Sequence, residues 1–178
     1  MDTTPSRPFK QRLQHIEAFV FDNDGVFTNG TVFLMPGGEQ VRTANTRDGY
    51  AVQHAAKCGV RIAMLSGGRS QEVVRRMNGL GVTEVIMGAA EKHGEFESLC
   101  SRWNLQPDQV CYMGDDIPDI PVLQAAGLAC CPNDAVPEVR AVSDYVSPLP
   151  GGTGCVRDIL EQAMKVKGLW MNDRAHAW

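Results

Sequence analysis

The sequence predicts an α/β fold, a doubly wound parallel sheet with helices on both faces. Apolar segments of strand length alternate with segments of helix length, and short connections separate them. One segment, Val60–Leu65, is apolar apart from a single arginine, as expected of a strand that a parallel sheet buries on both faces. With 178 residues, of which 43% are hydrophobic and 21% charged, the chain has the size and composition of one globular domain.

The first half of the chain predicts strands, a hairpin and two helices. The apolar segment Ile16–Phe21 indicates the first strand. The turn sequence Met-Pro-Gly-Gly at residues 35–38 lies between strand segments 31–34 and 39–43, so we expect a β-hairpin flap over about residues 31–43. A capping residue before an amphipathic segment and a glycine after it predict a helix. Two helices fit this pattern, Asp48–Lys57, which Asp48 is expected to cap, and Ser70–Leu80, with the strand Val60–Leu65 between them.

The second half continues the alternation. Pro118, which the first turn of a helix tolerates, lies near the start of one predicted helix. Because only the hairpin and one helix separate the first strand from Val60–Leu65, the sequence leaves no room for an inserted cap domain. The remaining predicted elements are strands 83–87, 109–113, 129–131 and 145–146 and helices 92–103, 117–126 and 155–167.

Charge and cysteine content restrict the partners and the compartment. The net charge of −4 argues against a nucleic acid or an anionic membrane as partner, whereas a small phosphorylated substrate needs only local positive charge. None of the six cysteines forms a C-x-x-C pair, which favours reduced thiols and a cytoplasmic location. The polar segment Met1–Pro8 lacks the apolar core of a signal peptide, and no apolar stretch reaches membrane-spanning length.

The tetrad Asp-Asn-Asp-Gly at residues 22–25 directly follows the first predicted strand. Side chains two residues apart on a strand point the same way, so Asp22 and Asp24 bring two like charges together. Such a pair is unfavourable unless a cation or a shared proton relieves it, and Mg²⁺ could neutralise both carboxylates. One carboxylate would then be a nucleophile and the other a proton donor. Taken alone, the four residues are equally compatible with a solvated turn.

Polar residues also follow the other predicted core strands. The segments are Ser66–Arg69 after the second, Glu91-Lys92 after the third and Gly114–Asp119 after the fourth. Because the binding crevice of such a sheet lies at the carboxyl ends of its strands, we expect these groups to meet there. Acids, a hydroxyl and an ammonium group can supply the nucleophile, the Mg²⁺ ligands and the phosphoryl-oxygen donors that phosphoryl transfer requires.

This ordered set of motifs resembles the haloacid dehalogenase-like phosphohydrolases. Asp22-x-Asp24-Gly25 is similar to their first motif, Leu65-Ser66-Gly67 to the second, Lys92 to the third and residues 114–119 to the fourth. Residues 45–50, 134–139 and 151–154 resemble the capless phosphatases of 3-deoxy-D-manno-octulosonate 8-phosphate, and residues 168–171 resemble a Bacteroidetes-type branch of them.

The resemblance implies a fold, an activity and an assembly. It implies a capless, Rossmann-like domain and a Mg²⁺-dependent phosphomonoesterase that acts through an aspartyl-phosphate in lipopolysaccharide precursor synthesis. It also implies a homotetramer in which a neighbour's hairpin and C-terminal tail, about residues 168–178, help to cover the open site.

The resemblance also implies a role for each candidate residue. Asp22 would be the nucleophile and Asp24 the general acid and base, while Ser66 and Lys92 would bind the phosphoryl oxygens. The implied metal ligands are Asp22, Asp24 through its backbone carbonyl, and Asp115, with Asp116 and Asp119 in supporting positions. The implied substrate-binding residues are Asn45, Thr46, Arg47, Asp48, Gly49, Gly68 and Arg76.

Three departures from the family pattern concern single residues. Thr153 interrupts a Gly-Gly-Arg-Gly pattern, which removes a cation that could have reached a carboxylate. Asn23 stands at a position that is usually apolar, so its amide needs a buried partner. Gly68 stands where many relatives carry an arginine, and Arg69 or Arg76 could supply the missing charge instead.

Three other functions fit parts of the pattern. A phosphatase for a nine-carbon keto-deoxy sugar acid phosphate, or for another sugar phosphate, would use the same catalytic residues. A phospho-accepting receiver module also surrounds Mg²⁺ with acids, Ser or Thr and Lys, but its acceptor aspartate leaves a middle strand. A non-catalytic assembly module on the same fold would not need complete catalytic motifs.

Overall fold

The chain forms one six-stranded parallel sheet with helices on both faces, and the computed structural model describes residues 8–176. The sheet strands are β1 (Ala18–Phe21), β4 (Arg61–Ser66), β5 (Glu84–Met87), β6 (Val110–Met113), β7 (Leu128–Cys131) and β8 (Tyr145–Val146). An antiparallel hairpin pairs β2 (Phe33–Leu34) with β3 (Gln40–Val41). The helices are α1 (Phe9–His15), α2 (Thr46–Lys57), α3 (Gln71–Gly79), α4 (Lys92–Trp103), α5 (Ile120–Ala125), α6 (Pro137–Val142) and α7 (Cys155–Val166).

β1 lies near the centre of the sheet, whose strand order is β5-β4-β1-β6-β7-β8. Ala18 is in register with Arg61 of β4 and with Val110 of β6, so these three strands end at the same edge. Phe19 and Phe21 pack into the core under α1, α2, α3 and α7, and the alternate residues of β1 face the core under α4, α5 and α6. The chain order reverses beside β1, which is where such sheets form their binding crevice.

The predicted fold class is confirmed. Residues 22–45 hold only a turn and the hairpin, so no cap domain is inserted there. The strands and helices lie within a few residues of their predicted positions, except that residues 117–119 form a 3₁₀ turn and α5 begins only at Ile120. Among residues 8–176, no helix combines the length and the apolar character needed to span a membrane.

Helices α1 and α6 were not predicted. Each is short and fully buries a single side chain, Leu13 in α1 and Val139 in α6. One buried residue produces no apolar periodicity, so the sequence gives no helical signal there.

The predicted capping role of Asp48 in its own helix is wrong. Asn45 Oδ1 accepts the backbone N–H groups of Arg47 and Asp48 at 2.8 and 3.4 Å, so α2 begins at Thr46. Asp48 is fully buried, and its Oδ1 accepts the backbone N–H of Arg157, 2.7 Å away in the first turn of α7. Burial raises the pKa of Asp48 to about 6, although this hydrogen bond opposes the shift. Asp48 therefore caps α7, which has no capping side chain of its own.

The C-terminal tail packs against α2 of its own chain. Trp170 is buried and lies edge-on to the rings of Tyr50 and His54, at centroid distances of 6.2 and 5.7 Å. The Arg157 guanidinium lies 5.2 Å from the centroid of the Trp170 ring. The tail thus contacts α2 and α7 at Trp170, and the Tyr50 hydroxyl of α2 also donates to the Ala175 carbonyl oxygen. Residues 177–178 lie outside the described part of the chain.

Candidate active site

Four polar side chains from separate elements meet at the carboxyl edge of the sheet. Asp22 follows β1, Ser66 ends β4, Lys92 begins α4 and Asp115 comes shortly after β6. They line an open cavity of about 590 Å³, together with Asp24, Gly25, Gly67, Gly68, Asp116 and Asp119. The structure therefore brings together the four predicted strand-end segments.

A buried ion pair joins Asp22 to Lys92. Lys92 Nζ lies 3.0 Å from Asp22 Oδ2, and Asp22 Oδ1 accepts the backbone N–H of Asn23 at 2.7 Å. Burial raises the pKa of Asp22 to about 6, against the opposing charge of Lys92. Burial lowers the pKa of Lys92, but the carboxylates of Asp22 and Asp119 outweigh it and raise that pKa above its ordinary value. Lys92 is therefore a cation at neutral pH.

Asp119 is fully buried and accepts four hydrogen bonds. Its Oδ1 accepts Lys92 Nζ at 2.7 Å and the Tyr112 hydroxyl at 2.5 Å. Its Oδ2 accepts the backbone N–H groups of Asp115 and Asp116 at 3.0 and 3.3 Å. Each carboxylate oxygen has two lone pairs, so these bonds occupy the acceptor capacity of Asp119. Asp119 thus fixes Lys92 and the loop after β6, in keeping with a supporting role.

Asp115 carries a buried oxygen without a partner. Its Oδ1 accepts no hydrogen bond within the described residues, and oxygens of Asp22, Asp115 and Asp119 lie within 4.8 Å of one another. Burial and then the charge of Asp22 raise the pKa of Asp115 to about 7. An anionic cluster with an unused oxygen fits Mg²⁺, which prefers carboxylate ligands. Asp22 and Asp115 would hold the ion directly, because Asp119 is already hydrogen-bonded on both oxygens.

Gly25 is required for the approach of Asp115 to the turn after β1. Gly25 has φ +84°, a conformation that side chains disfavour. A Cβ added at Gly25 would lie only 1.9 Å from Asp115 Oδ2. The glycine of the tetrad therefore serves both the turn and the packing of the acidic cluster.

Magnesium affinity is expected to fall as the pH falls below 7. The raised pKa values of Asp22 and Asp115 mean that protons compete with the cation in this range, whereas both carboxylates are ionised above it. Calorimetric titration with Mg²⁺ should give a dissociation constant at least about tenfold higher at pH 5.5 than at pH 7.5. The variant Asp108→Asn, which removes an exposed carboxylate, should keep the same pH dependence. Equal affinity at both pH values would contradict this assignment of the ligands.

Ser66 and the glycines after it form the side of the cavity opposite the acidic cluster's loop. Ser66 is buried, and its Oγ accepts the backbone N–H of Gly68 at 3.2 Å. The Ser66 proton therefore remains available for a phosphoryl oxygen. A Cβ added at Gly68 would lie 3.1 Å from Asp24 Oδ2, so the glycine leaves the space beside Asp24 open.

The side chain of Asp24 has a different partner from that of Asp22. Arg42, just after β3, contacts both oxygens of Asp24, with Nε 2.6 Å from Oδ1 and Nη2 3.0 Å from Oδ2. The Asn23 amide also donates to Asp24 Oδ1 at 2.8 Å, so the buried polar side chain of Asn23 has a hydrogen-bond partner. A separate basic side chain therefore lies beside each carboxylate, Arg42 beside Asp24 and Lys92 beside Asp22.

A second, larger cavity of about 940 Å³ adjoins this ion pair. Arg42, Arg69 and Arg76 line it, together with Asn45 and Gly49. Arg76 Nη2 lies 3.4 Å from the Asn45 carbonyl oxygen, and a Cβ added at Gly49 would lie 2.8 Å from Arg76 Nη2. Its apolar lining includes Phe27, Met64, Val73, Met77 and Leu80. The cavity thus combines positive charge with apolar walls, as small-molecule sites do.

Three of the expected substrate-binding residues line neither cavity. Thr46 is exposed in the first turn of α2. Arg47 faces a separate cleft of about 430 Å³ beside α7, which it shares with Arg157. Asp48 is buried beneath α7 and lines neither of the two cavities. The positions of these three residues within one chain therefore do not support direct contact with the substrate. Asp116 lines the smaller cavity and caps the 3₁₀ turn.

A parallel sheet that places two aspartates after its first strand, and a serine, a lysine and further aspartates at the same edge, defines a haloacid dehalogenase-type hydrolase. The family model described as haloacid dehalogenase-like hydrolase matches residues 60–154. This chain belongs to that family.

Within the family, this chain is similar to phosphatases that are named for one phosphorylated sugar acid. The 3-deoxy-D-manno-octulosonate 8-phosphate phosphatase of Escherichia coli K12 is 31% identical over 157 residues, 88% of this chain and 84% of that protein. The crystal structure of the Yersinia pestis enzyme of that name has a TM-score of 0.87 and 31% identity, covering 89% of this chain and 86% of the other. The Moraxella catarrhalis enzyme, solved with magnesium, phosphate and the sugar acid, has a TM-score of 0.85 and 29% identity, covering 88% and 90%.

Proposed function

We propose that this chain is a Mg²⁺-dependent phosphomonoesterase that hydrolyses 3-deoxy-D-manno-octulosonate 8-phosphate to the free sugar acid and phosphate. The observation that carries the proposal is the Asp22–Lys92 ion pair beside the unpartnered oxygen of Asp115. The similarity to phosphatases of that name over 84% of their length supports the substrate.

The first chemical step transfers the phosphoryl group to Asp22. A carboxylate oxygen of Asp22 attacks phosphorus, and the bond from phosphorus to the sugar oxygen breaks. Asp24 gives a proton to the leaving alkoxide, while Ser66 and Lys92 donate hydrogen bonds to the phosphoryl oxygens. When bound by Asp22 and Asp115, Mg²⁺ supplies positive charge that offsets the negative charge of the phosphoryl oxygens.

The second step returns Asp22 to its free form. Asp24, now ionised, takes a proton from a water molecule that attacks phosphorus, and the bond from phosphorus to Asp22 breaks. Inorganic phosphate leaves, and Asp24 is again protonated for the next turnover. The larger cavity would hold the sugar acid, with the arginines on its wall offering positive charge to the carboxylate.

A phosphate-release screen tests the substrate assignment. The panel contains eight-carbon and nine-carbon keto-deoxy sugar acid phosphates, neutral sugar phosphates and 4-nitrophenyl phosphate, each with Mg²⁺ and with a chelator. We expect the highest kcat/KM for the eight-carbon ester, and reversible loss of all turnover with the chelator. A higher kcat/KM for a nine-carbon ester would reassign the substrate, and absence of phosphate release from every ester would reject the enzyme.

We further propose that the whole chain acts as one hydrolase domain in a cytoplasmic homotetramer that serves lipopolysaccharide precursor synthesis. The hairpin supports an assembly, because Phe33, Leu34, Met35 and Val41 are about half or more exposed there. The six free thiols agree with a reducing compartment. Light scattering coupled to gel filtration should give the mass of four chains, whereas a monomer mass would reject the assembly.

A further inference from the structure

We propose that Arg42 is a positioning and specificity-determining residue that links an anionic group in the larger cavity to the orientation of Asp24. The inference rests on the proposed function, because it assigns the leaving sugar acid to that cavity and proton transfer to Asp24. It concerns a residue of the hairpin, outside the strand-end motifs.

The hydrogen bonds of Asp24 leave one of its oxygens better placed for chemistry than the other. Oδ1 accepts two donors, Arg42 Nε at 2.6 Å and Asn23 Nδ2 at 2.8 Å. Within the described part of the chain, Oδ2 accepts a single donor, Arg42 Nη2 at 3.0 Å. A Cβ added at Gly68 would lie 3.1 Å from Oδ2. Because Gly68 lines the cavity that contains Asp22, this oxygen of Asp24 borders the same cavity. Arg42 and Asn23 thus fix the rotation of the carboxyl group, and Oδ2 keeps a lone pair for the leaving oxygen or for water.

Arg42 also lies on the boundary between the two cavities. It lines the larger cavity while its guanidinium contacts Asp24, which lines the smaller one. A Cβ at Gly68 would lie 3.5 Å from Arg42 Nη2, so the absence of a side chain there leaves room for the guanidinium. The Arg42 side chain is only 8% exposed, which strengthens its electrostatic interactions relative to those of a solvated arginine.

Arg42 retains a donor for a ligand. Of its five N–H groups, Nε and one Nη2 N–H bind Asp24, while Gln40 accepts the other Nη2 N–H at 3.2 Å and one Nη1 N–H at 3.3 Å. Among residues 8–176, one Nη1 N–H has no acceptor and can bind a carboxylate in the larger cavity. Arg69 and Arg76 add positive charge to the lining of this cavity, and Glu39 and Glu72 add negative charge.

The arrangement predicts two separable effects when Arg42 is removed. Turnover of every ester should fall, because Asp24 loses the two hydrogen bonds from Arg42 that orient its carboxyl group. Only an ester with a carboxylate on the leaving group should also lose affinity, because a neutral sugar has no charge for Arg42 to bind.

Steady-state kinetics of Arg42→Met test this with two esters, 3-deoxy-D-manno-octulosonate 8-phosphate and glucose 6-phosphate. We expect kcat to fall about tenfold or more for both, and KM to rise about tenfold for the sugar acid ester alone. Arg42→Lys keeps the positive charge but cannot donate to both oxygens of Asp24 at once. It should therefore keep the wild-type KM for the sugar acid ester, while kcat falls as in Arg42→Met. Arg102→Met, which removes an arginine that is 45% exposed near the end of α4 and lies outside both cavities, is the charge-matched control and should leave both esters unchanged.

Thermal unfolding of each variant establishes that differences in rate do not come from loss of fold. An equal change of KM for both esters, or an unchanged kcat for glucose 6-phosphate, would overturn the role of Arg42. If the wild-type enzyme hydrolyses the sugar acid ester, either of these results for Arg42→Met would overturn the role of Arg42 alone and leave the proposed function intact. Wild-type turnover confined to neutral esters would overturn both.

Discussion

Replacing Asp22 with Asn is expected to lower kcat by about 10⁴-fold or more while the chain stays folded. The amide has the shape of the carboxyl group, so its oxygen can still accept the Asn23 N–H, and Lys92 keeps its 2.7 Å contact with Asp119. The amide oxygen cannot form the acyl-phosphate, however, so turnover stops at the first step. Phosphate release under saturating substrate and Mg²⁺ measures the loss, and thermal unfolding measures the fold.

The control for this experiment is Asp108→Asn, which removes an exposed carboxylate far along the sequence from the tetrad and should keep wild-type kcat. Mass spectrometry of the Asp22→Asn protein excludes conversion of the new amide back to the acid. A kcat within tenfold of wild type, with the amide intact, would contradict the assignment of Asp22 as nucleophile.

Replacing Lys92 with Met is expected to reduce both activity and stability. Lys92 is the cation between Asp22 and Asp119, at 3.0 and 2.7 Å, and it is 8% exposed. Removing one partner of a buried ion pair leaves uncompensated buried charge and costs about 3–5 kcal/mol. We expect a loss of that order in the free energy of unfolding at pH 7.5 without Mg²⁺, and a fall in kcat of about 10²-fold or more.

The stability loss should be smaller at pH 5.5 than at pH 7.5. Without Lys92, the pKa of Asp22 should rise above its value of about 6, so protonation at the lower pH removes the uncompensated charge. Urea unfolding at the two pH values measures the difference. Lys165→Met, which removes an exposed lysine paired with Glu161, should change the free energy of unfolding by less than about 1 kcal/mol at either pH. An equal loss at both pH values would refute the role of Lys92 as the charge partner.

The sheet and its strand-end residues could be predicted because local sequence determines both. An alternating order of strands and helices with short connections permits few topologies, and parallel strands bring their carboxyl ends to one edge. Asp22, Ser66 and Asp115 lie at or just after such an end, and Lys92 begins the helix that follows β5, so their meeting follows from the order of the elements.

The partners of these residues could not be predicted, because they depend on tertiary packing. Arg42 reaches Asp24 only because the hairpin folds back over the turn after β1. Tyr112 is a buried residue of an apolar strand, and its hydroxyl donates to Asp119. The strand sequence does not show that this tyrosine has a partner in the site. Asp48 looks like a helix cap in the sequence, but its partner is the N–H of Arg157, 109 positions away along the chain.

The most direct test of the account is to trap the phosphorylated aspartate. In the variant Asp24→Asn, 4-nitrophenyl phosphate should still phosphorylate Asp22, because this leaving group needs no proton, whereas hydrolysis should be slow without the general base. Acid quench and peptide mass spectrometry should then find one phosphoryl group on Asp22, with a burst of 4-nitrophenol equal to the enzyme concentration. Absence of both the burst and the adduct, or an adduct on any residue other than Asp22, would contradict the proposed mechanism.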